Sequence, residues 1–333
     1  MKICIIKLGA LGDVVRTLSI LPALKEAFPK SEITWITKPS SVGVFENNPF
    51  ASKVCAIPFK SSEEFDALYN FDIDEQATTL ASDINAKKKY GFYAEGGYPA
   101  AFNTGAEYYL NTLFDDEIKK TNTKSYQEMM FDIAELEYKK QHCPIFLNSK
   151  DKEYAQAFIK KNNIKGAIVG IHMGASPRWP SKVWHPDCVI EFIKKAKEKN
   201  YEILLFAGPD EIEDQKALIA KLHENKLSIA SNNPHNTIKQ FASLVDLCSV
   251  VICSDSLALH VSLALKKPTI GLFFCTPPNE VEGYGLLTKL VAPRLYEFFP
   301  EKMDQYDEKL VKSITSEEVL LAVESTVETN KNT

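Results

Sequence analysis

Short apolar runs alternate with stretches of helical spacing along the whole chain. "KICIIKL" (2–8) is an apolar run of strand length, and "VVRTLSILPALKEAF" (14–28) repeats its apolar residues at helical intervals. "SEITWIT" and "VCAIPF" predict two further strands. The rhythm restarts with the strand "KGAIVGIHMG" (165–174) and a helix over "HPDCVIEFIKKAKEKN". The strand "YEILLFAG", helices near 210–223 and 237–248, the strand "SVVIC", a helix over 257–265 and the strand "PTIGLF" follow. Strands alternating with helices predict an α/β protein whose parallel sheets are covered on both faces.

The pattern forms two series, which predicts two Rossmann-like domains, residues 1–148 and 165–312. A charged helical linker, "KDKEYAQAFIKKNNIKG", is expected over 149–164. The amphipathic "TSEEVLLAVESTV" predicts a last helix within 313–333, and the tail "ETNKNT" is expected to fray. Ligands of open parallel sheets bind outside the carboxyl ends of the strands. Two such sheets facing across a cleft suit an enzyme that joins two substrates.

Composition narrows the function classes. The chain has 333 residues, 45% hydrophobic and 25% charged, a globular profile long enough for two domains. A net charge of -5 argues against a protein that coats nucleic acid. No stretch reaches the ~18 apolar residues of a membrane span, and the N-terminus does not read as a signal peptide, so a cytoplasmic protein is expected. Seven scattered cysteines without a CxxC predict free thiols, not disulfides or zinc.

The strand "KICIIKL" ends at Gly9, Gly12 and Asp13. The third glycine of a dinucleotide fingerprint is missing, and Asp13 at the helix start would repel a phosphate. An NAD-linked oxidoreductase is therefore a weak alternative. Asp13 is either a helix cap or a carboxylate aimed at the cleft, where it takes a proton from a hydroxyl while Gly9 and Gly12 admit the acceptor.

In the second half, Ser254, Asp255 and Ser256 end a buried strand and open a helix, leaving backbone N–H groups for an anion, with His260 one turn on. Asp255 and Ser256 also read as an ordinary cap, and His260 as a buried histidine. "HMGASPRWPSKVWHP" offers the small-residue loop Gly174, Ala175, Ser176, then Arg178 as a diphosphate clamp and Lys182 as a second cation or a solvated lysine. Trp179 and Trp184 read as loop anchors. Gly208, in "FAGPDE", falls on the same sheet edge. No carboxylate pair of metal-binding spacing stands beside these loops, so no metal is expected.

Taken in order, "KLGALGDVVRTLSILPALKEAFP", "HMGASPRWPSKVWH", "FAGPDE" and "SDSLALHVSLALKKPTIGLF" resemble the heptosyltransferases of glycosyltransferase family 9, over nearly the whole chain. In the acceptor region, "KKKYGFYAEGG" and "SYQEMMFDIAEL" also match. The resemblance implies a GT-B fold with the donor bound mainly by the second domain and the final helix returning to the first. It implies Asp13 as general base, Arg178 on the donor diphosphate, and Asp255, Ser256, Leu257, Ala258 and His260 on the donor-binding segment. It implies inverting transfer, without a cofactor, of a sugar from a nucleotide sugar, ADP-heptose, to a lipopolysaccharide-core or related glycan or glycolipid acceptor. On the acceptor side stand Lys88, within the run 87–89, and Tyr93. The lysines are expected to meet anionic sugar or lipid phosphate, in peripheral contact with the cytoplasmic face of the inner membrane, or else to be solvated. Two departures stand out: Leu257 replaces the family's glycine, and "FCTPPNE" replaces Gly-Pro-Thr. Leu257 favours the alternative of a non-catalytic nucleotide-sugar-binding relative.

Overall fold

A computed structural model describes residues 1–331, with side chains through residue 329. It divides into two compact units: Met1–Phe146 with Asn279–Glu282, and Leu147–Pro278 with Gly283 onward.

In the first unit the strands are β1 (Lys2–Ile6), β2 (Glu32–Thr37), β3 (Lys53–Ala56), β4 (Phe65–Asn70), β5 (Ala86–Glu95) and β6 (Tyr98–Ala101). Its helices are α1 (Leu11–Thr17), α2 (Ile20–Ala27), α3 (Glu75–Asp83), α4 (Thr104–Phe114), α5 (Asp116–Thr121) and α6 (Tyr126–Ala134). The sheet order is β3-β2-β1-β4-β5-β6, parallel except for the β5–β6 hairpin. Strand order therefore reverses between β1 and β4, the position where open α/β sheets bind ligands.

The helix expected over 14–28 starts earlier and is broken into α1 and α2. Pro22 has no N–H for the Leu18 carbonyl, and its ring crowds that carbonyl, so one continuous helix cannot form there. The lysine run 87–89 lies on β5, a strand the hydrophobic pattern did not announce. Lys87 and Lys88 are exposed and Lys89 half-buried, and within β5 only Gly91 and Phe92 are buried. Gly91 has φ +91°, and a Cβ there would overlap the Asn70 carbonyl on β4. Gly91→Ala is expected to destabilise the fold by roughly 1–3 kcal/mol, seen as a lower midpoint in thermal unfolding; an unchanged midpoint would show that the β4–β5 ladder yields there.

The second unit holds β7 (Ile168–His172), β8 (Glu202–Phe206), β9 (Ala230–Ser231), β10 (Val250–Ser254), β11 (Thr269–Phe273) and β12 (Leu287–Val291). Its helices are α7 (Ser149–Asn162), α8 (Pro186–Glu198), α9 (Ile212–Glu224), α10 (Ile238–Asp246), α11 (Leu257–Ala264), α12 (Leu295–Phe298), α13 (Glu308–Val311) and α14 (Ser316–Lys331). The sheet, β12-β11-β10-β7-β8-β9, is wholly parallel. Its order reverses between β7 and β10. Val169, Ile171, Val250, Ile252 and Ile270 are buried with Val189, Phe192 and Ile193 of α8 in one core. Strands covered on both faces account for such unbroken apolar runs.

Two expectations about the ends of this unit are corrected. The segment expected as a linker, 149–164, is α7, which packs on α10 within the second unit. The final helix, expected to return to the first domain, belongs to the second unit: Val319, Leu320, Val323 and Val327 join the core that α8 contributes to. Its amphipathic pattern specified an apolar face but not the surface that face covers. The helix runs through Lys331, so the tail expected to fray is helical for its first four residues; its last two lie outside the described residues. The seven cysteines are free. Among the described residues no helix is long and apolar enough to cross a membrane.

Candidate active site

The first half of the site is built at the β1–β4 switch point. Lys7 follows β1 and is buried, its ammonium donating to the Phe71 carbonyl at 2.9 Å and to Asp72 Oδ1 at 2.7 Å. The other Asp72 oxygen accepts from the Leu8 amide and, at 2.8 Å, from the Gly9 amide. Asn70 clamps Asp72 in turn, donating to its carbonyl and accepting from its amide. One ion pair thus ties the end of β1 to the end of β4 and fixes the turn that launches α1. Burial alone would lower the Lys7 ammonium, but the Asp72 carboxylate, Tyr126 and Asp13 hold it above its ordinary value.

Asp13 is the third residue of α1. The N-cap is Ala10, which makes no side-chain cap bond, so Asp13 is not the cap its sequence context allowed. Its carboxylate flanks Gly9: a Cβ there would lie 3.3 Å from Asp13 Oδ2 and 3.2 Å from Asp72 Oδ1. Its side chain is 34% exposed and its Oδ1 pairs with Arg16 at 2.7 Å. The expected acceptor side looks different in detail. Lys87 and Lys88 are exposed and Lys89 is half-buried; Lys87 pairs with Asp66, and Lys89 donates to the Ala81 and Ser82 carbonyls. Tyr93 stacks on Phe102, with ring centroids 4.5 Å apart. Gly12 lies in the first turn of α1.

The second half is built at the β7–β10 switch point. Ser256 is the N-cap of α11 and makes no side-chain cap bond, so the first-turn amides, Leu257 and Ala258 among them, carry the helix's positive end. Lys182 comes to this point from the β7–α8 loop. Its ammonium meets both the carbonyl and Oδ2 of Asp255 at 3.0 Å, while the Asp255 Oδ1 lies 3.6 Å from His260 Nε2. Asp255 would otherwise repel an anion, and Lys182 offsets its charge. Ser254 donates to the Lys182 carbonyl and pins the loop to β10.

Arg178 is exposed, its guanidinium 4.6 Å from the Trp179 ring centroid, and Lys182 is the cation brought to α11. Trp184 anchors the loop through a 2.9 Å bond from Nε1 to the Ile314 carbonyl.

His172 ends β7 with Nδ1 3.5 Å from Ser256 Oγ. Burial pulls it down to about 4, so the ring is neutral at pH 7. Gly174 lies over the Glu211 carboxylate, and any side chain at Gly174 would strike it. Glu211 also accepts from the Gly208 amide at 2.6 Å, and burial raises its carboxyl above the usual range. The sequence reading missed Glu211; the signal was an acid two residues past the Gly-Pro turn of a strand end. Gly174, Ala175, Ser176 and Glu211 also line a cavity of about 450 Å³ between the loop and α9.

Each half therefore presents chemistry at the reversal of its own sheet: an acid in the first unit, an anion-suited helix start in the second. The sequence profile of Glycosyltransferase family 9 (heptosyltransferase) matches residues 61–305. The chain is 22% identical over 310 residues to the lipopolysaccharide core heptosyltransferase OpsX of Haemophilus influenzae, covering 87% of this chain and 84% of that protein. Among solved structures it resembles a glycosyl transferase family 9 protein of Veillonella parvula, with TM-score 0.79 and 18% identity over 98% and 97% of the two chains. It also resembles the E. coli heptosyltransferase WaaC with ADP-2-deoxy-2-fluoro heptose, with TM-score 0.63 and 16% identity over 98% and 99%. The chain has the GT-B fold and belongs to glycosyltransferase family 9, the heptosyltransferase family.

Proposed function

We propose that this glycosyltransferase moves a heptose from ADP-heptose to a lipopolysaccharide-core acceptor, with inversion and without a metal ion. The reading is supported by the names of the relatives and, above all, by the placement of Asp13 at the first sheet's switch point. Asp13 takes the proton of the acceptor hydroxyl as that oxygen bonds to the anomeric carbon. The bond from that carbon to the diphosphate oxygen breaks on the opposite face, and ADP leaves with the electron pair. Lys182 and the amides at the start of α11 stabilise the charge that builds on the diphosphate, with Arg178 reaching it from its exposed loop. Asp255 and His260 hold Lys182 in place. The small loop Gly174, Ala175, Ser176 and the turn at Gly208 admit the nucleoside end beside Glu211. Gly9, Gly12, Lys88 and Tyr93 serve the acceptor, and Lys88 carries any contact with an anionic membrane surface.

The test is a thermal-shift and calorimetric screen of ADP, UDP, GDP and ADP-heptose in EDTA, followed by a transfer assay. ADP at 100 times its Kd is expected to stabilise by roughly 2.7 kcal/mol. Lys182→Ala is expected to weaken ADP binding by about tenfold, the worth of one charge-assisted contact. Equal shifts with all three diphosphates would remove the adenine preference. Unaltered ADP affinity in Lys182→Ala would remove that residue's role, and loss of transfer in EDTA would remove metal independence. Binding of ADP-heptose without transfer or hydrolysis would turn the reading to a non-catalytic relative, for which Leu257 at the head of α11 is the feature to revert to glycine.

A further inference from the structure

Asp13 is itself held. Arg16, one helical turn on, pairs with its Oδ1 at 2.7 Å. The Arg16 guanidinium lies 3.5 Å from the centroid of the Tyr126 ring. Tyr126 is 2% exposed and starts α6, whose entry is fixed by reciprocal bonds between Ser125 and Glu128. The same tyrosine reaches α1 a second way. Its hydroxyl is 2.8 Å from Thr17 Oγ1, which donates to the Asp13 carbonyl at 2.6 Å. One buried ring is therefore tied to both the backbone and, through Arg16, the carboxylate of Asp13.

We propose that Arg16 and Tyr126 are positioning residues for Asp13, the Tyr126 ring holding Arg16 against the carboxylate so that it stays in one rotamer. The inference rests on Asp13 being the base. Arginine suits the place because its planar guanidinium stacks on the ring while its N–H groups face the carboxylate; an ammonium cannot do both. The charged and titratable groups facing Asp13 are Arg16 on its own helix, Lys7 after β1, Asp72 after β4, Tyr109 of α4 and Tyr126 of α6. Lys7 is bonded directly to Asp72, and Arg16 is bonded to Asp13 through its side chain.

The experiment is a set of pH–rate profiles at saturating donor for the full chain and for Arg16→Gln, Arg16→Lys, Tyr126→Leu and Asp13→Asn, with ADP affinity measured in parallel. Arg16→Gln is expected to lower kcat about tenfold through lost orientation. It is also expected to move the acid limb up by about one pH unit, because removing a neighbouring positive charge makes the carboxyl easier to protonate. Arg16→Lys restores the limb but not the full kcat. Tyr126→Leu lowers kcat with a smaller displacement of the limb, and ADP affinity stays the same throughout. In Asp13→Asn, adding Arg16→Gln changes nothing further, since Arg16 acts through Asp13. An acid limb that stays in place in Arg16→Gln overturns the proposal, as does an undiminished Arg16→Gln effect in the Asp13→Asn background. Full turnover in Asp13→Asn alone is a separate failure, that of the base assignment.

Discussion

Asp13→Asn is expected to leave ADP binding intact and to lower turnover by ~10²–10⁴-fold, the range over which a positioned general base contributes. The substitution keeps size and shape, and an amide oxygen still reaches Arg16, so the fold of α1 has no reason to change. On the proposed mechanism, what it removes is the capacity to accept a proton as the acceptor oxygen attacks. The side chain is partly exposed at the switch point, and its backbone carbonyl accepts from Thr17. The neighbouring acid, Asp72, is consumed by Lys7 and two backbone amides. The measurement is kcat for heptosyl transfer together with Kd for ADP. A variant that keeps more than half of wild-type turnover excludes Asp13 as base, whatever the family.

The strands that carry the site were legible because they are buried on both faces. β1, β7 and β10 read as mainly apolar runs, and each reaches a glycine or small polar residue at, or within three residues of, its end at a sheet reversal. Long-range partnerships were not legible. Lys7 pairs with a residue 65 positions away, and no local spacing announces that. The trace it did leave was a lysine inside an apolar run, where a charge needs a partner. Tyr126 and Arg16 meet only because α6 packs on α1. Arg178 and Lys182 share one irregular loop, and periodicity cannot say which of two cations in a loop points to a helix start. The break at Pro22 could have been read directly; the apolar spacing on either side concealed it.

The Asp72–Lys7 pair sets the other large effect. Asp72→Ala strands a buried ammonium, and breaking a buried pair in this way costs about 3–5 kcal/mol. Deprotonation of Lys7 sets a matching ceiling. The fold can escape by shedding the Lys7 proton, which from a free value near 10.4 costs about 4.6 kcal/mol at pH 7. The same escape costs only about 1.9 kcal/mol at pH 9. The stability gap between wild type and Asp72→Ala is therefore expected to narrow as pH rises, since the variant's Lys7 is neutral when folded and charged when unfolded. In wild type the Lys7 pKa is raised, so its contribution is intact below its ordinary value and cannot vanish between pH 7 and 9. Urea unfolding at the two pH values measures the gap. Lys7→Met in the Asp72→Ala background is expected to recover part of the loss by removing the orphan charge, though the Leu8 and Gly9 amides still lack their acceptor. A gap independent of pH, with no recovery in the double variant, would mean that the ammonium is not the source of the cost and that the turn launching α1 is held by the amide bonds alone.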